Sequence, residues 1–281
     1  MSKLHTVLGA TGGAGRAITD ALLEQGHRVR TVNRSGSTVE SAAEPLASDI
    51  ETSEGAMNAV AGSAVVYLAA QPPYEKWVGR FPAMLRNVLD AVERHGAKLV
   101  MVDNLYMYGP GASPMTEDTP MRAQDKKGEV RIEMVEMLDD AVARGVRVTS
   151  GRASDYFGPH GGNSVISALA IEPALAGKAP KWMGSVDVAH SVAYLPDVGR
   201  AYVILGTDER ADGLHWVLPH IATLTGAEFL DAVTTAAGLR SSTGRISKPM
   251  LYMAAPFHAM SREGLGVYYQ WAEPFVTDSS R

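Results

Sequence analysis

Three glycines at a constant spacing, Gly9, Gly12 and Gly15, are the first residues in this chain whose types and positions suit chemistry. Each answers a different need of an anion site: Gly9 permits a tight turn off a strand, Gly12 lets the backbone approach a diphosphate, and Gly15 lets a helix pack closely on a sheet. Thr11, Gly13 and Ala14 complete the turn, and a helix starting there presents free N–H groups to the anion. A second place of interest is Asn33-Arg34, at the end of the next strand pattern. A dinucleotide fold that grips unmodified ribose hydroxyls carries an acid at this point. None is present, and the planar fork of Arg34 suits a phosphate on the ribose. The third place is Lys127 with Arg131 four residues later. A lysine partly desolvated beside an arginine exchanges a proton more readily than one in water.

The elements needed to hold these residues follow from periodicity. Leu4, Val7 and Leu8 mark a buried strand before the glycines, and Ile18, Ala21, Leu22 and Leu23 mark the helix after them. His27 to Asn33, Pro45 to Ile50, Ala64 to Ala70, Leu99 to Val102 and Gly145 to Ser150 read as further strands. The intervening segments from Glu54 to Val60, Trp77 to His95 and near Gln124 to Arg144 read as helices. Strands alternating with helices in this way predict a doubly wound parallel α/β sheet of Rossmann type, with its ligand at the carboxyl ends of the strands. On the helix from Gln124, the apolar stripe runs through Val130, Met134, Met137, Leu138 and Ala141. Lys127 and Arg131 extend that inward face, while Lys126, Glu129, Glu133, Glu136 and Asp140 face solvent.

Composition removes several classes of function. The 281 residues include no cysteine, which excludes disulfides and thiolate zinc sites. A net charge of −5 without a basic cluster gives no reason to expect nucleic acid. No apolar run is long enough to span a membrane, so a cytoplasmic enzyme of a small molecule is expected. The histidines, His160, His190, His215, His220 and His258 among them, show no metal-ligand spacing, so no metal is expected.

The Gly-x-x-Gly-x-x-Gly spacing with Thr11 inside it resembles the short-chain dehydrogenase/reductase superfamily, in particular its extended and atypical branches. The resemblance implies NADP(H) as cofactor, given Arg34. It implies that Asp49 contacts the adenine amino group, although an aspartate after a strand is also a common helix cap. It places Ala69-Ala70, followed by Gln71, under the cofactor's ribose and diphosphate. Relatives usually carry a serine or threonine four residues before a Tyr-Gly pair. Here Tyr108-Gly109 is kept and the counted position is Asn104, whose amide could still polarise a carbonyl or could simply form a turn. The catalytic tyrosine and the lysine four residues on are missing. In their register stand Lys127 and Arg131, so the resemblance suggests Lys127 as proton donor and Arg131 as holder of the nicotinamide ribose, with Tyr106, Tyr108 and Tyr156 as other donors. Isoflavone reductase-like relatives resemble this in using a lysine.

Residues 1–160 are therefore expected to form the NADP-binding domain, with returning strands near 190–218, and 161–281 mainly a substrate lobe. There Gly161-Gly162-Asn163 reads as a loop, Val165 to Leu175 as a helix and Lys181 to Met183 as a strand. Ser191 to Ala201 resembles a strand-to-helix segment capped by Asp197, and Leu214 to Leu218 reads as another strand. Thr225 with Glu228 has capping-box spacing for a helix to Ala237. The cluster Met250, Tyr252, Met253, Phe257, Met260, Tyr268, Tyr269 and Trp271 reads as helix packing or an apolar pocket wall. The functional expectation is an NADP-dependent reductase of a carbonyl or conjugated double bond in an apolar or aromatic molecule. Its alternatives are a redox sensor that binds NADP(H) without turnover, and a sugar-nucleotide epimerase or dehydratase. A homodimer is expected from the resemblance alone.

Overall fold

The computed structural model describes residues 3–37, 40–162, 164–240, 243–257 and 259–281. His258 and Asn163, singled out in the sequence, lie outside the described residues.

The chain opens with β1 (Leu4–Leu8), every residue of which is buried, and turns through the glycines into α1 (Gly13–Glu24). There follow β2 (Arg28–Asn33), β3 (Glu44–Ala47), α2 (Ser53–Val60), β4 (Val65–Leu68), α3 (Trp77–His95), β5 (Lys98–Asp103), α4 (Lys126–Ala143) and β6 (Val148–Arg152). The later elements are β7 (Asp155–Phe157), α5 (Glu172–Leu175), β8 (Lys181–Met183), β9 (Ala189–Tyr194), α6 (Leu195–Thr207) and β10 (His215–Val217). The chain closes with β11 (Ala222–Thr225), α7 (Gly226–Ala236), β12 (Gly244–Ile246), α8 (Lys248–Ala254), α9 (Ala259–Gly266) and α10 (Tyr269–Ala272).

Seven strands form one sheet in the order β10-β6-β5-β4-β1-β2-β3, and its pairs are all parallel. The order reverses between β1 and β4, which sets a crevice at their carboxyl ends where an open α/β sheet takes its ligand. Helices cover both faces. One core lies under α2, α3 and α4 and is built from residues such as Leu85, Val88, Leu99 and Leu138. The other lies under α1 and α6 and includes Ile18, Leu22, Tyr67 and Tyr202.

Local signals explain most boundaries. Gly96 ends α3 in the left-handed conformation at φ 66°, which a residue with a Cβ rarely adopts. Asp125 caps α4 by accepting the N–H groups of Lys127 and Gly128, and the α7 capping box of Thr225 and Glu228 is fully formed. Asp197 is not a cap: Tyr194 occupies that position, and Asp197 lies in the first turn of α6, paired with Arg200 at 2.7 Å. β3 ends at Ala47, so Asp49 falls in the turn beyond it. The stretch expected as a helix from Val165 is π-helical over Ser167–Ile171 before α5.

Beyond β6 the chain divides its work. β10 returns to the main sheet beside β6, whereas β7, β9 and β11 form a small second sheet, and β8 with β12 a two-stranded one. A separate aromatic core of Trp182, Phe229, Trp271 and their neighbours holds this part together. On α8 and just after it, Met250, Tyr252, Met253 and Phe257 are exposed rather than packed.

Candidate functional site

At the carboxyl end of β1 the three glycines separate by what surrounds them. Gly9 has φ 85°, and a Cβ there would stand 2.6 Å from the Ala70 backbone. A Cβ on Gly15 would collide with the Gly9 carbonyl oxygen. Both are therefore demanded by the fold itself. Gly12 is different: its Cβ would meet only the Gly9 oxygen, at 3.6 Å. Packing leaves space over Gly12, and α1 begins there with no side-chain cap and no acid in its first turn. The first-turn N–H groups of Gly13, Ala14 and Gly15 accordingly present a positive end suited to an anion, with Thr11 exposed at its rim. Ala69 and Ala70 are half-buried directly beside this turn, because Ala70 packs on Gly9, and Gln71 is exposed after them.

Asn33, Arg34 and Asp49, expected at the adenosine end of a cofactor, lie at the carboxyl ends of β2 and β3. The Asn33 side-chain oxygen accepts the N–H groups of Ser35 and Ser37, each at 3.1 Å, and its amide donates to the Ser37 carbonyl at 2.9 Å. Asn33 thus shapes the loop, and Arg34 projects from it into solvent. Asp49 is exposed. Its carboxylate accepts the Glu51 N–H at 3.1 Å, and Thr52, not Asp49, caps α2. Arg16, in the second turn of α1, is tied to Glu40 and Asp20.

The opposite end, below β5, β6 and α4, is built from buried charge. Arg131 is 3% exposed and its guanidinium donates to the Asp103 carboxylate at 3.0 Å, sandwiched against Trp77 and Phe81. Arg152 shares Asp103 at 3.8 Å and donates to the Tyr108 hydroxyl at 2.7 Å. Arg131 is therefore a strut for the ends of β5 and β6, and its guanidinium is not presented for a ribose. Lys127 is 5% exposed. Its ammonium donates to the Tyr74 carbonyl and pairs with Glu263 from α9 at 2.9 Å, with the Tyr74 ring 4.3 Å away. The partner that the fold gives Lys127 is thus a carboxylate from the far end of the chain. The Asn104 oxygen accepts the Tyr106 N–H at 3.1 Å, a turn-forming role that leaves its amide N–H groups over. Burial pushes the ionisation of Tyr74 and Tyr106 well above the usual phenol range.

Residues that the sequence did not single out complete this end. Asp155 opens β7, and its Oδ2 is hydrogen-bonded to Nε2 of His190 on β9 at 2.9 Å. Its negative charge adds to burial in raising the pKa of Tyr74, Tyr106, Tyr156 and Tyr269. No local motif announces the Asp155–His190 pair.

Elsewhere, Ser150, His215 and Asp139 form a hydrogen-bonded chain at 2.6 and 2.9 Å, in the order of an acyl-transfer triad. Ser150 is fully buried within the sheet, so the chain ties β10 and α4 to β6 instead of meeting substrate. Among the described residues no group of three or more His, Asp or Glu is arranged to hold a metal ion, and no helix is long and apolar enough to cross a membrane.

Solved structures share this architecture at low identity. The chain is similar to UDP-glucose 4-epimerase from Thermotoga maritima, solved with UDP-glucose, at 18% identity and TM-score 0.76 over 87% of this chain and 85% of that one. It is similar to dTDP-glucose 4,6-dehydratase from Bacillus anthracis, solved with NAD, at 16% identity and TM-score 0.76 over 96% of each. A nucleoside-diphosphate-sugar epimerase from Pseudomonas aeruginosa aligns at 16% identity and TM-score 0.75 over 99% of this chain and 88% of that one. Among curated proteins none matches the chain in sequence. The model of the NAD dependent epimerase/dehydratase family matches residues 5–218, which spans the glycine turn, the parallel sheet and its last strand. The chain therefore belongs to the NAD dependent epimerase/dehydratase family.

Proposed function

We propose that this protein is an NADP(H)-dependent oxidoreductase acting on a carbonyl or conjugated double bond of a neutral, apolar or aromatic small molecule. The observation that carries the reading is charge. Lys127 is matched by Glu263, and Arg131 and Arg152 by Asp103, so the cations at this end already have carboxylate partners. A sugar nucleotide would bring a second diphosphate, which needs unmatched donors when it leaves water. The packed rings of Tyr74, Trp77 and Tyr106 suit instead an uncharged ring.

The cradle at Gly12, Gly13 and Ala14 would hold the diphosphate of the cofactor, with Ala69, Ala70 and Gln71 beneath it, Asn33 and Arg34 at the ribose phosphate, and Asp49 toward the adenine. When bound, nicotinamide supplies hydride exchange. Lys127 stands where the usual tyrosine would, and in this reading its ammonium supplies the proton while the free N–H of Asn104 polarises the acceptor oxygen.

A rival reading, a sugar-nucleotide epimerase or dehydratase, is supported by the structural neighbours. The test is a fluorescence titration with NADPH, NADH and UDP-glucose, followed by a panel of aromatic ketones, quinones and enones. The expected result is tighter binding of NADPH than NADH, no UDP-glucose binding, and acceptor-dependent NADPH oxidation that collapses in Lys127→Met. UDP-glucose binding at micromolar concentration would favour the rival, and tight NADPH binding without turnover on any acceptor would favour a redox sensor.

A further inference from the structure

The outer side of α8 is apolar where a surface helix is ordinarily polar. Leu251 is buried, whereas Tyr252 and Met253 are 58% and 70% exposed, with Met250 at 46% and, just beyond the helix, Phe257 at 88%. Helical spacing sets Met250 and Met253 one turn apart, and Lys248 and Tyr252 likewise, so Leu251 marks the inner side and these residues the outer one. Single exposed apolar side chains are ordinary on a protein surface. Four large ones between Met250 and Phe257 form a patch, and patches of this kind mark contact with something less polar than water.

The charge beside this patch has one sign. No stretch of the sequence is a basic run, but the parallel pairing of β8 with β12, Gly244 opposite Lys181 and Arg245 opposite Trp182, lays two distant segments side by side at the root of α8. Residues 173–186 carry Lys178 and Lys181, residues 232–262 carry Arg240, Arg245, Lys248 and Arg262, and neither segment contains an aspartate or a glutamate. The chain as a whole has the opposite balance, with 31 acids to 26 lysines and arginines. All six cations are exposed, and among the described residues none is paired with a carboxylate. The first acid to follow, Glu263, is turned inward onto Lys127.

An occupant of this face has to cover apolar side chains and bring negative charge. A second copy joined by a two-fold axis would set these cations against their own images. A bilayer with anionic headgroups meets both needs, because lysine and arginine seat at the phosphates while Met, Tyr and Phe enter the boundary with the acyl chains. We propose that α8, with the β8–β12 pair at its root, is a docking surface for an anionic lipid membrane, on which the protein lies without spanning it. α8 packs against α9, which carries Glu263 to Lys127, so the docked face is the outside of the helix pair that reaches the candidate site. The proposal stands apart from the oxidoreductase reading, since its test needs neither cofactor nor acceptor.

The test is co-sedimentation of the whole chain with vesicles of phosphatidylcholine alone and of phosphatidylcholine mixed with phosphatidylserine. Wild type is expected to bind the mixed vesicles about tenfold or more tightly than the neutral ones, and added salt to weaken that binding. Equal binding to both vesicles, or binding to neither, overturns the proposal without recourse to any variant. Met253→Ser combined with Phe257→Ser removes the apolar part, and Arg245→Glu combined with Lys248→Glu reverses the charge. Each pair is expected to cut binding about tenfold, with thermal unfolding recorded to show that these exposed changes leave the fold intact. Undiminished binding in either folded variant overturns the docking surface. Other occupants are separated on the same samples. A wild-type dimer that Met253→Ser with Phe257→Ser turns into a monomer would give the face to a second copy. Salt-sensitive binding to polyglutamate without binding to the mixed vesicles would give it to an acidic protein, and either result overturns membrane docking.

Discussion

The two ends of the crevice are built from different materials. At the β1–α1 end the chain offers backbone: a glycine turn, free helix N–H groups and small residues, with Arg34 and Asp49 exposed around them. At the β5–β6–α4 end it offers side chains, and these are buried and matched: Asp103 between two arginines, Lys127 against Glu263, Asp155 against His190. The first arrangement suits an anion, because among the described residues no side chain caps the first-turn N–H groups. The second tolerates little added charge because its own charges are already partnered, and disturbing one partner leaves the other stranded in low dielectric.

That contrast can be broken first at Asp103. Asp103→Ala leaves Arg131 and Arg152 buried without their carboxylate, and denaturant unfolding should show a loss of about 3–5 kcal/mol; a loss below ~1 kcal/mol would show that the network relaxes or hydrates freely. Next come the glycines, which separate fold from ligand. Gly15→Ala must push against the Gly9 carbonyl and is expected to cost about 1–3 kcal/mol. Gly12→Ala should cost little stability and instead weaken NADPH binding about tenfold or more, because the added methyl enters the space over the cradle. Equal effects of the two on stability would refute the distinction.

Arg34→Ala should lower NADPH affinity roughly tenfold while leaving NADH unchanged, since loss of one charged contact to phosphate is worth about 1.5–3 kcal/mol at most. A parallel loss for both cofactors would remove Arg34 from phosphate recognition. An effect independent of both ends lies far from the crevice, at the amino end of β1. His5 is buried against Tyr67, and burial, then the neighbouring His27 and Lys3, lower its pKa from 6.5 to about 4. Between those values the unfolded chain binds more protons than the folded one, so stability is full above pH 6.5 and falls as the pH drops toward 4, by at most about 1.4 kcal/mol per unit. Unfolding midpoints recorded across that range should flatten in His5→Asn.

What the sequence determined by itself was everything carried by short-range pattern. The glycine spacing, the alternation of buried strands with helices, the inward face of α4 and the Thr225–Glu228 capping box each depend on residues within a few turns of one another, so their physics is contained in the local stretch. The sense of Lys127 and Arg131 was legible for the same reason: helical periodicity says that they point inward. It does not say what they meet. Arg131 finds Asp103 and Lys127 finds Glu263, more than a hundred residues downstream, so each inward cation meets a carboxylate. Asp155 and His190 carry no signal of their own, because a carboxylate and an imidazole meet only when β7 and β9 pair. Backbone sites are written in consecutive residues, whereas side-chain sites are written in contacts, and contacts exist only once the sheet has closed and water has left.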